Sequence, residues 1–132
     1  MKIVNEIWES FMALPLWVKL WMLILLMPIN FATLLFWNAP IGKSVASFAI
    51  LGMAFNLVPI ILDRGFGKAM SIPHLIFWVP LTGIIIFKAL PVATGNYQVF
   101  LIVLLVTNLI SLIFDVIDTV KWIKGDRVAP RP

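Results

Sequence analysis

Cysteine is absent from the 132 residues, which excludes disulfides, thiolate metal ligands and thiol nucleophiles. Histidine and tyrosine occur once each. A single imidazole cannot supply a bis-histidine haem or a paired-histidine metal site within one chain. No Ser-His-Asp motif is present, and Gly65-Phe66-Gly67-Lys68 lacks the spacing of a phosphate loop, so it reads as a tight interhelical turn. The expectation is a protein that is not an enzyme, with no catalytic residue, no cofactor and no bound metal.

Charge is also scarce. Only 12% of residues carry it, against roughly 25% in an ordinary soluble domain, whereas 62% are hydrophobic. Mean hydropathy is +1.06. A water-soluble fold this small cannot cover so much apolar surface, so the expected solvent and first partner is a lipid bilayer. In a polar chain a net charge of +4 and a pI near 9.8 would suggest nucleic acid. Here the basic residues fall between apolar runs, a pattern of membrane topology, and no nucleic-acid partner is expected.

What is present reads as helix throughout. Residues 3–14 have a helical period, with Ile3, Val4, Ile7, Trp8, Phe11 and Leu14 on one face and Asn5, Glu6, Glu9 and Ser10 opposite. Residues 1–15 therefore form an amphipathic helix, either lying in the headgroup region or packed as a cap on the bundle. Pro15 opens the next helix. Residues 16–125 form the membrane domain, with spans at about 16–37, 44–62, 72–90 and 97–118, each near the ~20 residues that cross hydrocarbon. The first is too long for a signal-peptide core and is read as retained. The last helix continues to Lys124, where Gly125 offers a stop, and residues 126–132 are a tail. The predicted fold is all-α, an integral membrane bundle of four helices with an N-terminal interfacial helix. In composition and topology alone the chain resembles small four-span inner-membrane proteins of bacteria.

Loop charges set the orientation. With the N-terminus inside, Lys2, Lys19, Arg64, Lys68, Lys121, Lys124, Arg127 and Arg131 are cytoplasmic, and only Lys43 and Lys88 are outside. Both termini are expected in the cytoplasm.

A shift of 52 residues pairs Pro28 with Pro80, Asn56 with Asn108 and Asp63 with Asp115. Both halves would enter from the same side, giving a parallel two-fold repeat. Pro59 has no counterpart, which weakens the relation.

Function must reside in polar residues within the spans. Asn30, Asn56 and Asn108 lie in the first, second and fourth, and Thr82 takes the corresponding place in the third. An unpaired amide in hydrocarbon costs roughly 2–7 kcal/mol, so each should face a neighbouring helix or water. Pro28 and Pro80 free the carbonyls of Ile24 and Ile76, which Asn30 and Thr82 could engage. On the fourth helix Asn108, Ser111, Asp115, Asp118 and Trp122 form a stripe at helical spacing. Asp63, Asp115 and Asp118 would mark an acidic inner mouth, or else pair locally, Asp118 with Lys121 and Asp63 with Arg64 or Lys68. His74 is read as an interfacial hydrogen bonder, with pH gating as the sharper alternative. About 20 Å of helix separates it from Lys88, short for a ~30 Å core, so that lysine either snorkels outward or faces a cavity.

The preferred expectation is a non-enzymatic accessory or scaffold subunit that associates with itself or with other membrane proteins. The rival is a small homo-oligomeric cation channel or carrier using Asn30, Asn56, Thr82 and Asn108 at depth. The direction of the asparagine side chains discriminates: towards a hydrated axis for conduction, towards packed neighbours for a scaffold.

Overall fold

The computed structural model describes residues 2–130; Met1, Arg131 and Pro132 lie outside it, and with them one basic residue of the expected cytoplasmic set and the end of the tail. Helix accounts for 83% of the chain, and no strand occurs among the described residues. Backbone polar groups can therefore be satisfied within each segment, as hydrocarbon requires. A first helix, α1, spans Lys2–Ala13. Four further helices are long and apolar enough to cross a membrane: α2 at Leu16–Phe36, α3 at Gly42–Asp63, α4 at Lys68–Val92 and α5 at Gly95–Ile123. The third is longer than the span 72–90 expected from hydropathy, because a 3-10 turn at Lys68–Met70 leads into it and another at Leu90–Val92 ends it. The fourth runs past residue 118 to Ile123, and Gly125 takes a left-handed φ of 109° just beyond.

Proline shapes three of the four long helices. A π turn at Trp21–Leu26 ends two residues before Pro28, and another at Ile85–Ala89 ends two residues before Pro91. Each contains the carbonyl, Ile24 or Phe87, that the downstream proline deprives of its donor and crowds with its ring. Widening the turn eases that clash. In α3, Pro59 cannot bond to Phe55, whose carbonyl instead accepts the amide of Val58 at 3.1 Å. The helix breaks there into Gly42–Ala54 and Leu57–Asp63, with Asn56 at the junction. Pro80 sits within the regular stretch Ser71–Ile84.

The helices form a ring, α3 against α4, α4 against α5, and α2 closing it against α3 and α5. Gly42, Val45, Ala46, Ala49 and Gly52 are the buried residues of the first part of α3. Small side chains let α4 approach closely, as in membrane helix pairs generally. Trp78 fills that approach. It is fully buried, its indole N–H donates to the Ala49 carbonyl at 3.2 Å, and Leu81, Ile85, Leu101 and Leu104 complete the core. A β-carbon on Gly52 would collide with the Trp78 indole, whereas one on Gly83 would meet open space. Gly52→Ala should therefore cost about 1–2 kcal/mol by overpacking. Gly83→Ala should be neutral or slightly stabilising through helix propensity. Thermal unfolding in a mild detergent reads both signs.

The two ends are fastened differently. At the far end the Tyr97 hydroxyl donates to the Pro40 carbonyl at 2.8 Å, and Phe36 packs on Tyr97 and Phe100. The turn between them holds Ile41 at φ 63°, strained for a β-branched residue. At the end bearing both termini, the buried Ser10 of α1 accepts the Phe66 amide at 2.9 Å, and Gly65 packs against Ser10 and Ala129. Lys68 pairs with Asp126 at 3.1 Å and Arg64 with Glu6 at 3.4 Å, so α1 and the C-terminal segment both close on the α3–α4 loop.

Candidate functional site

Polar residues on one face of α5 organise the interior. Asn108, Ser111, Asp115 and Thr119 recur at spacings of three and four, and each meets a polar group within the bundle. They form three layers.

The first layer is an amide pair. Asn30 donates from Nδ2 to Asn108 Oδ1 at 2.9 Å, and Asn108 donates back to Asn30 Oδ1 at 3.0 Å. Asn30 also donates to the Leu26 carbonyl at 2.9 Å, and the Thr33 hydroxyl donates to the Asn30 carbonyl. Both asparagines are sealed, at 0% and 1% exposure. The carbonyl engaged is Leu26, not the proline-freed Ile24: Asn30 follows Leu26 by one turn, while Ile24 lies inside the π turn. Thr82 is likewise displaced from its expected role. Its hydroxyl donates to the Trp78 carbonyl one turn back at 2.9 Å, a habitual bond of helical threonine, and joins no layer.

The second layer lies about two turns, ~10.5 Å, along α5. Asn56 Nδ2 meets His74 Nε2 at 2.8 Å, His74 Nδ1 meets Asp115 Oδ2 at 3.1 Å, and the Ser111 hydroxyl donates to the same oxygen at 3.5 Å. Asn56, His74 and Asp115 are all buried. The imidazole is stacked on the Trp78 indole, centroids 3.9 Å apart and planes 8° from parallel. An amide NH₂ only donates, so Nε2 accepts and the ring hydrogen sits on Nδ1, donated to the Asp115 carboxylate. Asn56 Oδ1 is buried and has no hydrogen-bond partner among the described residues. His74 is therefore an interior residue; Pro73, with the lead-in turn, carries it beneath the end of the bundle rather than leaving it at the surface.

The third layer closes the terminal end, where the Ser71 hydroxyl donates to the Lys68 carbonyl at 2.7 Å and meets Thr119 Oγ1 at 2.6 Å. Asp118 is half-buried and feels the charge of Lys68 as well as Lys121. The three aspartates have different surroundings. Asp115 is engaged by His74 and Ser111, and Asp118 lies at the rim. Asp63 lines an apolar groove of about 460 Å³ with Phe55, Pro59, Ile72, Pro73 and Trp122. Lys88 is exposed, which places its side chain outside the bundle rather than in a cavity. Among the described residues no three His, Cys, Asp or Glu side chains converge on a common point.

Thr119 and Ser71 were not anticipated, although Thr119 continues the α5 stripe one turn beyond Asp115. Trp78 carries no sequence signal beyond being one of six tryptophans. No protein-family model, curated protein or solved structure matches the chain.

Proposed function

We propose that this protein is a small non-enzymatic accessory or scaffold subunit that acts through helix–helix association. The observation that supports the reading most is the Asn30–Asn108 pair. Two mid-span amides that would be needed to line a polar path are spent on each other and face packed neighbours. The association surface is the outer face of α2, the helix with the smallest buried share, where Leu23, Ile24, Phe31, Leu34 and Leu35 are exposed. In the same proposal the membrane is a bacterial inner membrane and both termini are cytoplasmic, since the basic residues gather at the terminal end. There α1 holds Trp8 at headgroup level. The offset-52 repeat belongs to it as ancestry, with partners since diverged: Asn56 bonds His74 where Asn108 bonds Asn30.

Cross-linking in native membranes, followed by purification in a lipid-compatible detergent and mass measurement, tests the proposal. A homo-oligomer or a reproducible membrane partner is expected, and Leu34→Arg on the outer face of α2 should abolish it. A stable monomer that captures nothing overturns the scaffold reading. Reconstituted vesicles should show the Na⁺ and K⁺ flux of empty ones; flux that Asp115→Asn suppresses would replace this reading with the cation carrier.

A further inference from the structure

The second layer is unlike the other two in leaving one buried acceptor unused. Asn56 Oδ1 has no partner, although Nδ2 of the same amide is bonded to His74. Asn56 stands at the start of the second half of α3 without using its side chain to cap that helix. Its amide is committed to the imidazole, and only one of its two polar atoms is satisfied by it.

We infer that Asn56, His74, Asp115 and Ser111 form a buried proton-binding site with two hydrogen-bonded states. In the first, the one observed, the amide NH₂ donates to Nε2, Nδ1–H donates to Asp115, and Asn56 Oδ1 is orphaned. In the second, one proton from water is added to Nε2. The only bond lost is the hydrogen bond between Nδ2 and Nε2; the amide turns over about its terminal torsion, and Nε2–H donates to Oδ1. The acceptor unsatisfied in the first state becomes the acceptor for the incoming proton, and Nδ2 is the atom left unbonded in its place. Nothing is oxidised or reduced. The other hydrogen stays on Nδ1 in both states, donated to Asp115 Oδ2, and Nε2 gains one.

The surroundings suit both states. Among the described residues Asp115 is the charged group that meets the ring, and Ser111 holds its carboxylate from the same helix. Asp118, further along α5, is set against Lys68, Lys121 and Asp126. From α3 the contact is the uncharged Asn56, with Asp63 two turns on; α2 carries only Lys19, at its own start; and α4 brings Lys68 at its first turn and Lys88 far away at its other end. The Trp78 face, parallel to the ring at 3.9 Å, accommodates a neutral imidazole by stacking and a charged one by cation–π attraction. Trp78 also donates to the Ala49 carbonyl, which ties the ring's platform to the small-residue face of α3.

His74 is the only histidine, so ¹⁵N-histidine labelling reports it alone. Imidazole nitrogen resonances are followed in lipid nanodiscs from about pH 8 to 5, the range in which an imidazole ordinarily changes charge. Near neutrality, Nδ1 should be of the protonated type and Nε2 of the unprotonated type; on acidification Nε2 should convert to the protonated type while far-UV circular dichroism stays constant. Asn56→Leu should move the midpoint down by about one pH unit or more, a tenfold loss of proton affinity, because the charge-assisted bond to Oδ1 is the stronger of the two it removes. An Nε2 protonated already at neutral pH, or unprotonated throughout, overturns the site. An unchanged midpoint in a folded Asn56→Leu variant overturns the role of the amide. If that variant does not fold, the wild-type titration decides. The scaffold proposal does not depend on either result.

Discussion

Trp78→Ala is expected to lower the free energy of unfolding by about 3–5 kcal/mol, the largest effect of any single replacement considered for this chain. The indole is fully buried between the small-residue face of α3 and the leucines of α5. Truncation opens a cavity where Trp78 packs on α3, and Gly52 and Ala49 are too small to fill it. Two further losses add to the cavity: the bond from Nε1 to the Ala49 carbonyl and the stacking surface under His74. Trp78→Phe separates these terms. It retains most of the volume but leaves the Ala49 carbonyl without its extra donor, and should cost roughly 1–2 kcal/mol. Titration with a denaturing detergent, read by circular dichroism, measures both. A Trp78→Ala variant as stable as the parent would show that the bundle is not centred on this residue.

Breaking the amide pair comes next in size. Asn30→Leu should cost about 2–3 kcal/mol, because it leaves the Asn108 amide buried with neither of its partners, and Asn108→Leu somewhat less, because Asn30 keeps its bond to the Leu26 carbonyl. Converting both to leucine removes the stranded group, so the double variant should be close to the parent and more stable than either single one. The coupling is then negative in the ordinary sense of a double-mutant cycle, and far from additive. Additive losses would mean that the two asparagines act separately, for instance through water. In membranes an interhelical hydrogen bond is itself worth only ~0.6–2 kcal/mol, so the expected signal comes chiefly from the orphaned partner.

Much of the fold was legible because hydrocarbon imposes length. The runs around 16–37, 44–62, 72–90 and 97–118 each found a helix; 3-10 turns lengthen α4 at both ends, whereas the continuation of α5 towards Gly125 follows the expected course. Prolines were visible as breaks, but their consequence was not. Pro28 follows a π turn and Pro59 a split helix, while Pro80 is absorbed in place. Periodicity singled out Asn108, Ser111 and Asp115 as one face of α5. It could not say that Thr119 meets Ser71 while Asp118 lies near Lys68.

By itself the sequence determined that four helices are long and apolar enough to cross a membrane and, through their even number, that α1 and the C-terminal segment meet at one end. These follow from composition and length, which act along the chain. Tertiary structure alone decided which polar group answers which. Asn30 and Asn108 are 78 residues apart, and His74 and Asp115 are 41 apart. A helical period fixes which residues share a face but not the rotation of that face against its neighbours. That rotation is set by how Trp78 fits over Gly52 and Ala49, a matter of shape that no repeat in the sequence records.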